Sequence, residues 1–365
     1  MTAVLFPVIR RFFVPLSLLS YLFGSAYTFL HAWSHQGFGL IQWLLTQYHI
    51  NYIDFGFAKR AMVGTMLYPV MQALPDGEAP EYFAFLFVDF VLFLAIVYIA
   101  HSALKRVGEE HTGFADWFRL LLLIAPVGFV QYASDSGRYD HYNYLLVFLA
   151  AYLVLNRKLA WGGAILALGA LVHEAIFFYG VPIISILAFL QSYKFREVAL
   201  SLLPVTVVMA AVFLYGNLEV DLASVLGEKV AAGAEVWSRG VLEPAENLGL
   251  FDVAGLIFYT VLPYYFFFRF FEENRLPLIL VGCQMFFVCA LFLLGIDYAR
   301  WAHLVFFSCA TVVISLLCHD QKLRLPSLNG WEKIVFALYL VPAGPLGTTH
   351  PLPYVSKIAE KLFQS

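Results

Sequence analysis

The chain has 365 residues, of which 61% are hydrophobic and 13% are charged, and its formal net charge at pH 7 is −3. Soluble domains carry about 25% charged residues, so this composition predicts an integral membrane protein. A slightly acidic chain lacks the basic surface that nucleic acid binding requires, which excludes nucleic acid as a partner. The four cysteines lie in or beside apolar segments without the spacing of a zinc site or of a disulfide framework.

Apolar segments of membrane-spanning length recur along the whole chain. A spanning helix needs about 20 apolar residues, so we expect an all-α polytopic bundle of about 11 transmembrane helices that forms one domain over residues 1–365. Gly180 and Pro182 oppose a single rod over 160–192, which is therefore interpreted as two short helices. The predicted spans lie at 12–33, 81–104, 117–133, 142–156, 160–174, 176–192, 197–216, 251–270, 277–295, 301–318 and 333–348.

Lysine and arginine indicate the orientation, because short cytoplasmic loops carry the positive excess. With the N-terminus inside, most of these residues fall on the inner side. They include Arg10, Arg11, Lys105, Arg106 and Arg119. The pattern predicts a multi-pass protein of the bacterial cytoplasmic (inner) membrane. It also predicts that the remaining charged clusters lie at its outer face.

The first outer loop, residues 34–80, combines an apolar aromatic stretch with a charged motif. Phe38 and Trp43 belong to a segment typical of an amphipathic helix in the membrane interface. The following motif, NYIDFGFAKR, contains Asp54, Lys59 and Arg60. One interpretation is a carboxylate base or metal ligand beside a cationic phosphate clamp. The other is an ion pair with cations that extend to the headgroups.

The densest polar motif is SDSGRYDHYNY, between the third and fourth predicted spans. It contains Asp135, Arg138, Tyr139, Asp140 and His141. Carboxylates bind hard cations and arginine binds phosphate bidentately, so the motif could hold a divalent cation such as Mg²⁺ or Mn²⁺ together with a phosphate. The spacing matches no recognised metal signature, and a solvated turn would also be rich in Asp, Ser and Gly. The sequence therefore leaves the metal undetermined.

His173 and Glu174 interrupt the apolar stretch ALGALVHEAIFFYGVP. A lone histidine in such a stretch is usually a packed core residue, but a carboxylate there must be protonated or partnered. We expect Arg138 or Arg300 to be the partner. Glu174 would then orient that cation or act as an acid or base.

Further charged residues begin the tenth predicted span and interrupt the second. Asp297 and Arg300 can form a self-contained pair at i and i+3, or Arg300 can also bind a phosphate beside Trp301. Asp89 lies inside the second span, and we expect it to pair with a cation. The segment 217–250 is typical of an outer lid or substrate-recognition loop, or of an ordinary soluble surface.

This combination of many spans, a long first outer loop with an acidic residue, and outer Asp, His, Glu and Arg residues resembles two related groups of membrane proteins. These are the GT-C type glycosyltransferases and the bacterial O-antigen or exopolysaccharide polymerases. The resemblance implies a polyprenyl-phosphate-linked sugar donor, an acceptor glycan or lipid, and a catalytic role for the first-loop acid, Asp54. Many such enzymes carry a paired acid in this loop, whereas the acid here is single.

The sequence therefore predicts a membrane glycosyltransferase, with a polysaccharide polymerase as the first alternative. Candidate catalytic residues are Asp54, Asp140, His141 and Glu174. Candidate phosphate-binding residues are Lys59, Arg60, Arg138, His173 and Arg300, supported by Asp89, Asp135, Tyr139, Asp297 and Trp301. The second alternative is a proton-coupled transporter or lipid-linked sugar flippase that uses buried acids and imidazoles as a relay. A noncatalytic scaffold would have little reason to keep so many charges in apolar segments.

Overall fold

The computed structural model describes residues 2–36, 47–75, 77–107, 112–217, 250–270, 275–294, 298–319, 327–341 and 346. The regular secondary structure in these ranges is helical, with no strand among them, which confirms the all-α prediction. The predicted interfacial helix around Trp43, nearly all of the predicted lid and Asp297 lie outside the described residues.

The described helices lie at the predicted spans and also at two places in the predicted first outer loop, and a break between Ile124 and Phe129 interrupts the predicted span 117–133. They are α1 (Thr2–Gln36), α2 (Tyr52–Phe55), α3 (Ala61–Ala73), α4 (Glu78–Lys105), α5 (Thr112–Ile124), α6 (Phe129–Ser134), α7 (Tyr139–Leu155), α8 (Leu159–Val172), α9 (Ile176–Leu190), α10 (Phe195–Tyr215), α11 (Leu250–Phe270), α12 (Arg275–Leu294), α13 (Tyr298–His319) and α14 (Gly330–Tyr339).

Five segments of the described chain are long and apolar enough to cross a membrane. They are Leu5–Leu30, Ala79–Lys105, Thr112–Ser134, Phe195–Tyr215 and Tyr298–His319. This supports the prediction of a helical membrane protein. A helix lies at every predicted span, but α8 has 14 residues, α9 has 15 and α14 has 10, so a count of 11 spans is not confirmed.

The contacts divide the chain into two compact units. The first consists of Met1–Tyr27, Ile96–Asp135 and Val241–Ser365, and the second of Thr28–Ala95 and Ser136–Gly240.

In the second unit, glycines and aromatic rings allow the helices to pack closely. A Cβ atom on Gly163 of α8 would lie 1.7 Å from the carbonyl oxygen of Ser201 in α10, so only glycine fits at this crossing. The Tyr48 ring stacks on Phe85 with ring centroids 3.9 Å apart and meets Tyr139 edge-on. The helices of the second unit that carry its polar residues are therefore closely packed.

The segment 160–192 forms two helices as predicted, but the predicted cause of the break is wrong. Pro182 lies inside α9, and the chain leaves the helix at His173, whose backbone is extended. Side chains satisfy the backbone groups at this break. The amide of Asn143 donates to the His173 carbonyl (2.9 Å), and His173 Nδ1 accepts the N–H of Ala175 (3.1 Å). These bonds compensate the backbone groups that both helix ends leave without partners.

Candidate functional site in the second unit

Six charged or titratable residues of the second unit are linked by side-chain contacts or by adjacency in the chain, and we call them the charge cluster. Its members are Arg60, Asp89, Asp140, His141, His173 and Glu174. They come from the N-terminal end of α3, from α4, from the first turn of α7 and from the break between α8 and α9. The first and last members, Arg60 and Glu174, are 114 positions apart in the sequence, and the fold brings them into contact.

The most deeply buried part of the charge cluster is an aspartate–histidine pair. Asp89 Oδ1 lies 2.5 Å from His141 Nδ1, and each residue is 1% exposed. A carboxylate at Nδ1 selects the tautomer with its proton on that nitrogen, which leaves the basic lone pair on Nε2. The partner that the structure shows for Asp89 is this imidazole, and the cationic partner that the sequence predicted stays a prediction.

A second acid–imidazole pair involves Asp140, which directly precedes His141 in α7. Asp140 is 1% exposed, and its Oδ1 lies 3.7 Å from His173 Nδ1. That nitrogen accepts the backbone N–H of Ala175, so it carries no proton of its own in this arrangement. His173 therefore holds the helix break, and its Nδ1 does not donate to Asp140.

The third part of the charge cluster is a bidentate ion pair between Arg60 and Glu174. Arg60 Nε donates to both carboxylate oxygens of Glu174, at 3.0 and 2.9 Å, and Nη2 also contacts Oε1. The predicted partners of Glu174, Arg138 and Arg300, are therefore wrong. Sequence reasoning missed this pairing because 114 positions separate the two residues.

Arg60 adopts a backbone conformation that L-residues rarely occupy. Its φ is 64° and its ψ is 9°, in the left-handed region, where it caps the N-terminus of α3. A residue other than glycine in this region costs on the order of 1 kcal/mol and persists where its surroundings hold it. The ion pair to Glu174 is one such contact.

Asp54 and Lys59 lie on the same short segment as Arg60, outside the buried pairs. Asp54 is exposed, and its Oδ2 accepts from the side-chain amide of Asn51 at 2.8 Å. The Lys59 ammonium lies 3.4 Å from the side-chain oxygen of Asn217, and its backbone N–H donates to the carbonyl of Gly216. The N–H of Tyr52 donates to the Thr65 hydroxyl and ties α2 to α3.

The turn before α7 is fixed by two tyrosines, of which the sequence analysis assigned only Tyr139 to the site. Tyr48 donates its hydroxyl to the carbonyl of Gly137 (2.7 Å), and Tyr139 donates to the carbonyl of Gln47 (2.6 Å). Arg138 occupies the N-cap position of α7, without a side-chain capping bond, and Gly137 has a φ of 87°. Tyr139, predicted to support the site, therefore positions the segment that carries Asp140 and His141.

The remaining predicted residues belong to the first unit or lie outside the described chain. Asp135 accepts from the amide of Gln131 at 2.9 Å, and the Arg300 guanidinium lies 4.8 Å from the ring centroid of Trp301. Asp297 is not among the described residues. Within the described ranges, no group of three or more His, Cys, Asp or Glu side chains is arranged to hold a metal ion, and the divalent cation stays a prediction.

Comparison with known protein families, curated proteins and solved structures finds no match to this chain.

Proposed function

We propose that this protein is a membrane glycosyltransferase. It would move a sugar from a polyprenyl-phosphate-linked donor to a hydroxyl of an acceptor glycan or lipid at the outer face of the bacterial inner membrane. The observation that carries the proposal is the segment Asp54–Arg60, which holds an exposed carboxylate and two adjacent cations, with the second cation fixed by Glu174.

The two adjacent cations support a phosphate site. The pKa of Lys59 lies below its ordinary value of 10.5, because burial and the neighbouring Arg60 guanidinium disfavour its charged form more than Glu174 favours it. A bound phosphate would offset both effects, since it adds negative charge between the two side chains. Arginine has five N–H donors, and the bond to Glu174 uses its Nε and Nη2 edge. A phosphate would therefore be bound by Lys59 and by the guanidinium charge that Glu174 holds in place.

Asp54 suits the role of base better than Asp140. A catalytic base must lie within hydrogen-bond reach of the proton that it removes. Asp54 is exposed, whereas Asp140 is 1% exposed and packed beside His173. The Asn51 amide holds Asp54 Oδ2, so Oδ1 is the atom that we assign to the acceptor proton.

The reaction then follows from these positions. The acceptor oxygen attacks the anomeric carbon and transfers its proton to Asp54, while the bond from that carbon to the phosphate oxygen breaks. The polyprenyl phosphate leaves with an additional negative charge, which Lys59 and Arg60 stabilise. Such stabilisation of developing charge is often the largest contribution to catalysis. Glu174 would act as a positioning residue for Arg60.

A polymerase that joins lipid-linked repeat units would use the same chemistry with a longer acceptor. Loss of a sugar transferase truncates the glycan within its repeat unit. Loss of a polymerase leaves complete single units that remain unjoined. The size of the glycan in a strain that lacks the protein therefore separates the two.

A proton-coupled transporter or flippase is the second candidate, and the buried pairs favour it. Asp89, Asp140, His141 and His173 are each at most 4% exposed, and series of buried acids and imidazoles serve as proton relays in transporters. In that case Asp89→Asn would abolish transport and Asp54→Asn would not. The transferase predicts loss of glycan assembly with Asp54→Asn.

The test is a lipid extract from a strain that lacks the protein, complemented with variants. Asp54→Asn and Arg60→Gln should accumulate a polyprenyl-linked sugar intermediate, as the strain without the protein does. Lys158→Gln changes an exposed cation of the same unit and should behave as wild type. Normal glycan assembly with Asp54→Asn and Arg60→Gln would rule out the proposed transferase.

A further inference from the structure

A buried carboxylate in the first unit is shared between two arginines. Arg10 of α1 donates from Nε to Asp116 Oδ1 (2.6 Å) and also contacts Oδ2 through Nη2. Arg119, one turn after Asp116 on α5, donates from Nη1 to Asp116 Oδ1 (3.0 Å). Asp116 is 0% exposed. One carboxylate neutralises one guanidinium, so this group of three side chains keeps an excess positive charge.

The buried guanidinium of Arg119 has N–H donors, and not all of them have a hydrogen-bond partner in the described chain. Arg119 is 6% exposed, and its Nη2 donates to the carbonyl of Leu104 at the end of α4 (2.7 Å). In the part of the chain that the structure describes, the Arg119 Nε–H is buried and has no hydrogen-bond partner. A buried cation and a buried donor without a partner are both costly, and an anion would compensate both.

The group lies close to the ends of three candidate membrane spans. Arg10 follows the start of Leu5–Leu30, Leu104 precedes the end of Ala79–Lys105, and Asp116 follows the start of Thr112–Ser134. Charged side chains near span ends reach the headgroup layer. The ligand available at this depth is a lipid headgroup.

The surrounding sequence keeps a positive balance at these span ends. Arg11, Lys105 and Arg106 add cations, and Lys105 and Arg106 are exposed. Glu109 and Glu110 follow them in a segment outside the described residues. Even with both glutamates, cations outnumber acids in the sequence around this group. Basic pockets between membrane helices bind anionic headgroups by the same electrostatics.

We propose that Arg10 and Arg119, held by Asp116, bind the phosphate of an anionic membrane lipid. Arg10 is the accessible contact, since its side chain is 44% exposed, and the buried Arg119 supplies the fixed positive charge. The site belongs to the first unit and is independent of the glycosyltransferase proposal, which rests on the second.

The experiment measures lipid binding to the full-length purified protein by native mass spectrometry. Phosphatidylglycerol and phosphatidylcholine are titrated separately, so that the anionic and zwitterionic headgroups are compared on one protein. Wild type should bind phosphatidylglycerol more tightly. Arg10→Gln should lose about tenfold of that affinity, the order expected for hydrogen bonds to a charged group. Its affinity for phosphatidylcholine should stay unchanged.

Three controls keep this test decisive. Arg196→Gln removes an exposed cation of the second unit and should bind both lipids as wild type does. Arg10→Lys keeps the charge beside Asp116 and provides a folded variant if Arg10→Gln does not fold; its loss should be smaller. Inorganic phosphate at the same concentration should not displace phosphatidylglycerol. Equal binding of both lipids by wild type, unchanged binding by Arg10→Gln, or displacement by inorganic phosphate would each overturn the proposal.

Discussion

The ion pair between Arg60 and Glu174 should show a large energetic coupling, because it fixes a strained residue at a helix N-terminus. Glu174→Gln keeps the size of the side chain but removes its charge, and it replaces one acceptor oxygen with a donor amide. That amide would face the Arg60 guanidinium, which has donors only. The substitution therefore removes the pair without creating a cavity.

The geometry sets the expected size of the effect. Removing one partner of a fully buried pair costs about 3–5 kcal/mol. The two side chains here are 24% and 19% exposed, so water replaces part of the loss and we expect about 2 kcal/mol in the free energy of unfolding. Arg60→Gln should cost a similar amount. The double variant should cost far less than the sum, which gives a coupling energy of about 2 kcal/mol.

The assay is reversible unfolding of the four proteins of this cycle in mixed detergent micelles, with helical circular dichroism as the signal. Arg196→Gln combined with Glu174→Gln is the control and should be additive, because Arg196 is exposed in the first turn of α10. A coupling energy below about 0.5 kcal/mol, the usual limit of additivity, would show that the Arg60–Glu174 contact does not hold this segment.

The other parts of the account make separate predictions. Asp89→Asn should lower the free energy of unfolding by about 2 kcal/mol, because it removes the carboxylate that is bonded to the buried Nδ1 of His141; an unchanged unfolding midpoint would contradict this. Gly163→Ala should destabilise the protein, since its Cβ would overlap a backbone carbonyl of α10, whereas Gly113→Ala meets no atom within 4 Å and should fold normally. Sugar transfer should fall as pH rises through the lowered pKa of Lys59, because the charged form binds phosphate; Lys59→Arg should keep its activity to higher pH, and identical pH profiles would count against the phosphate role.

Composition and the apolar pattern were enough to predict a helical membrane protein with a helix at each predicted span, but not α2, α3 or the break between α5 and α6. The sequence was less accurate about which residue breaks the helical segment 160–192. Pro182 was taken to break a helix, yet α9 continues through it. The break occurs at His173, where Asn143 and the imidazole compensate the interrupted backbone. No local sequence rule identifies that compensation, because Asn143 lies on another helix.

The sequence also could not predict which charged residues of the second unit pair with each other. Asp89 and Glu174 were expected to find partners, on the correct argument that buried carboxylates need them. Which partner each one finds depends on how α3, α4, α7 and the α8–α9 break come together, and sequence spacing does not encode that arrangement. The adjacent cations Lys59 and Arg60 indicated a phosphate site in the sequence. The left-handed backbone of Arg60 is a consequence of the fold, and the sequence did not indicate it.

The central claim is sugar transfer from a polyprenyl-phosphate carrier, and its most direct test is a reaction with the purified full-length protein. The substrate is the lipid fraction that accumulates in a strain lacking the protein, together with glycan from the same strain as acceptor. The measured quantity is the release of polyprenyl phosphate. Wild type should release it and extend the acceptor, while Asp54→Asn should release none. No release by the wild-type protein, or equal release by Asp54→Asn, would contradict the account.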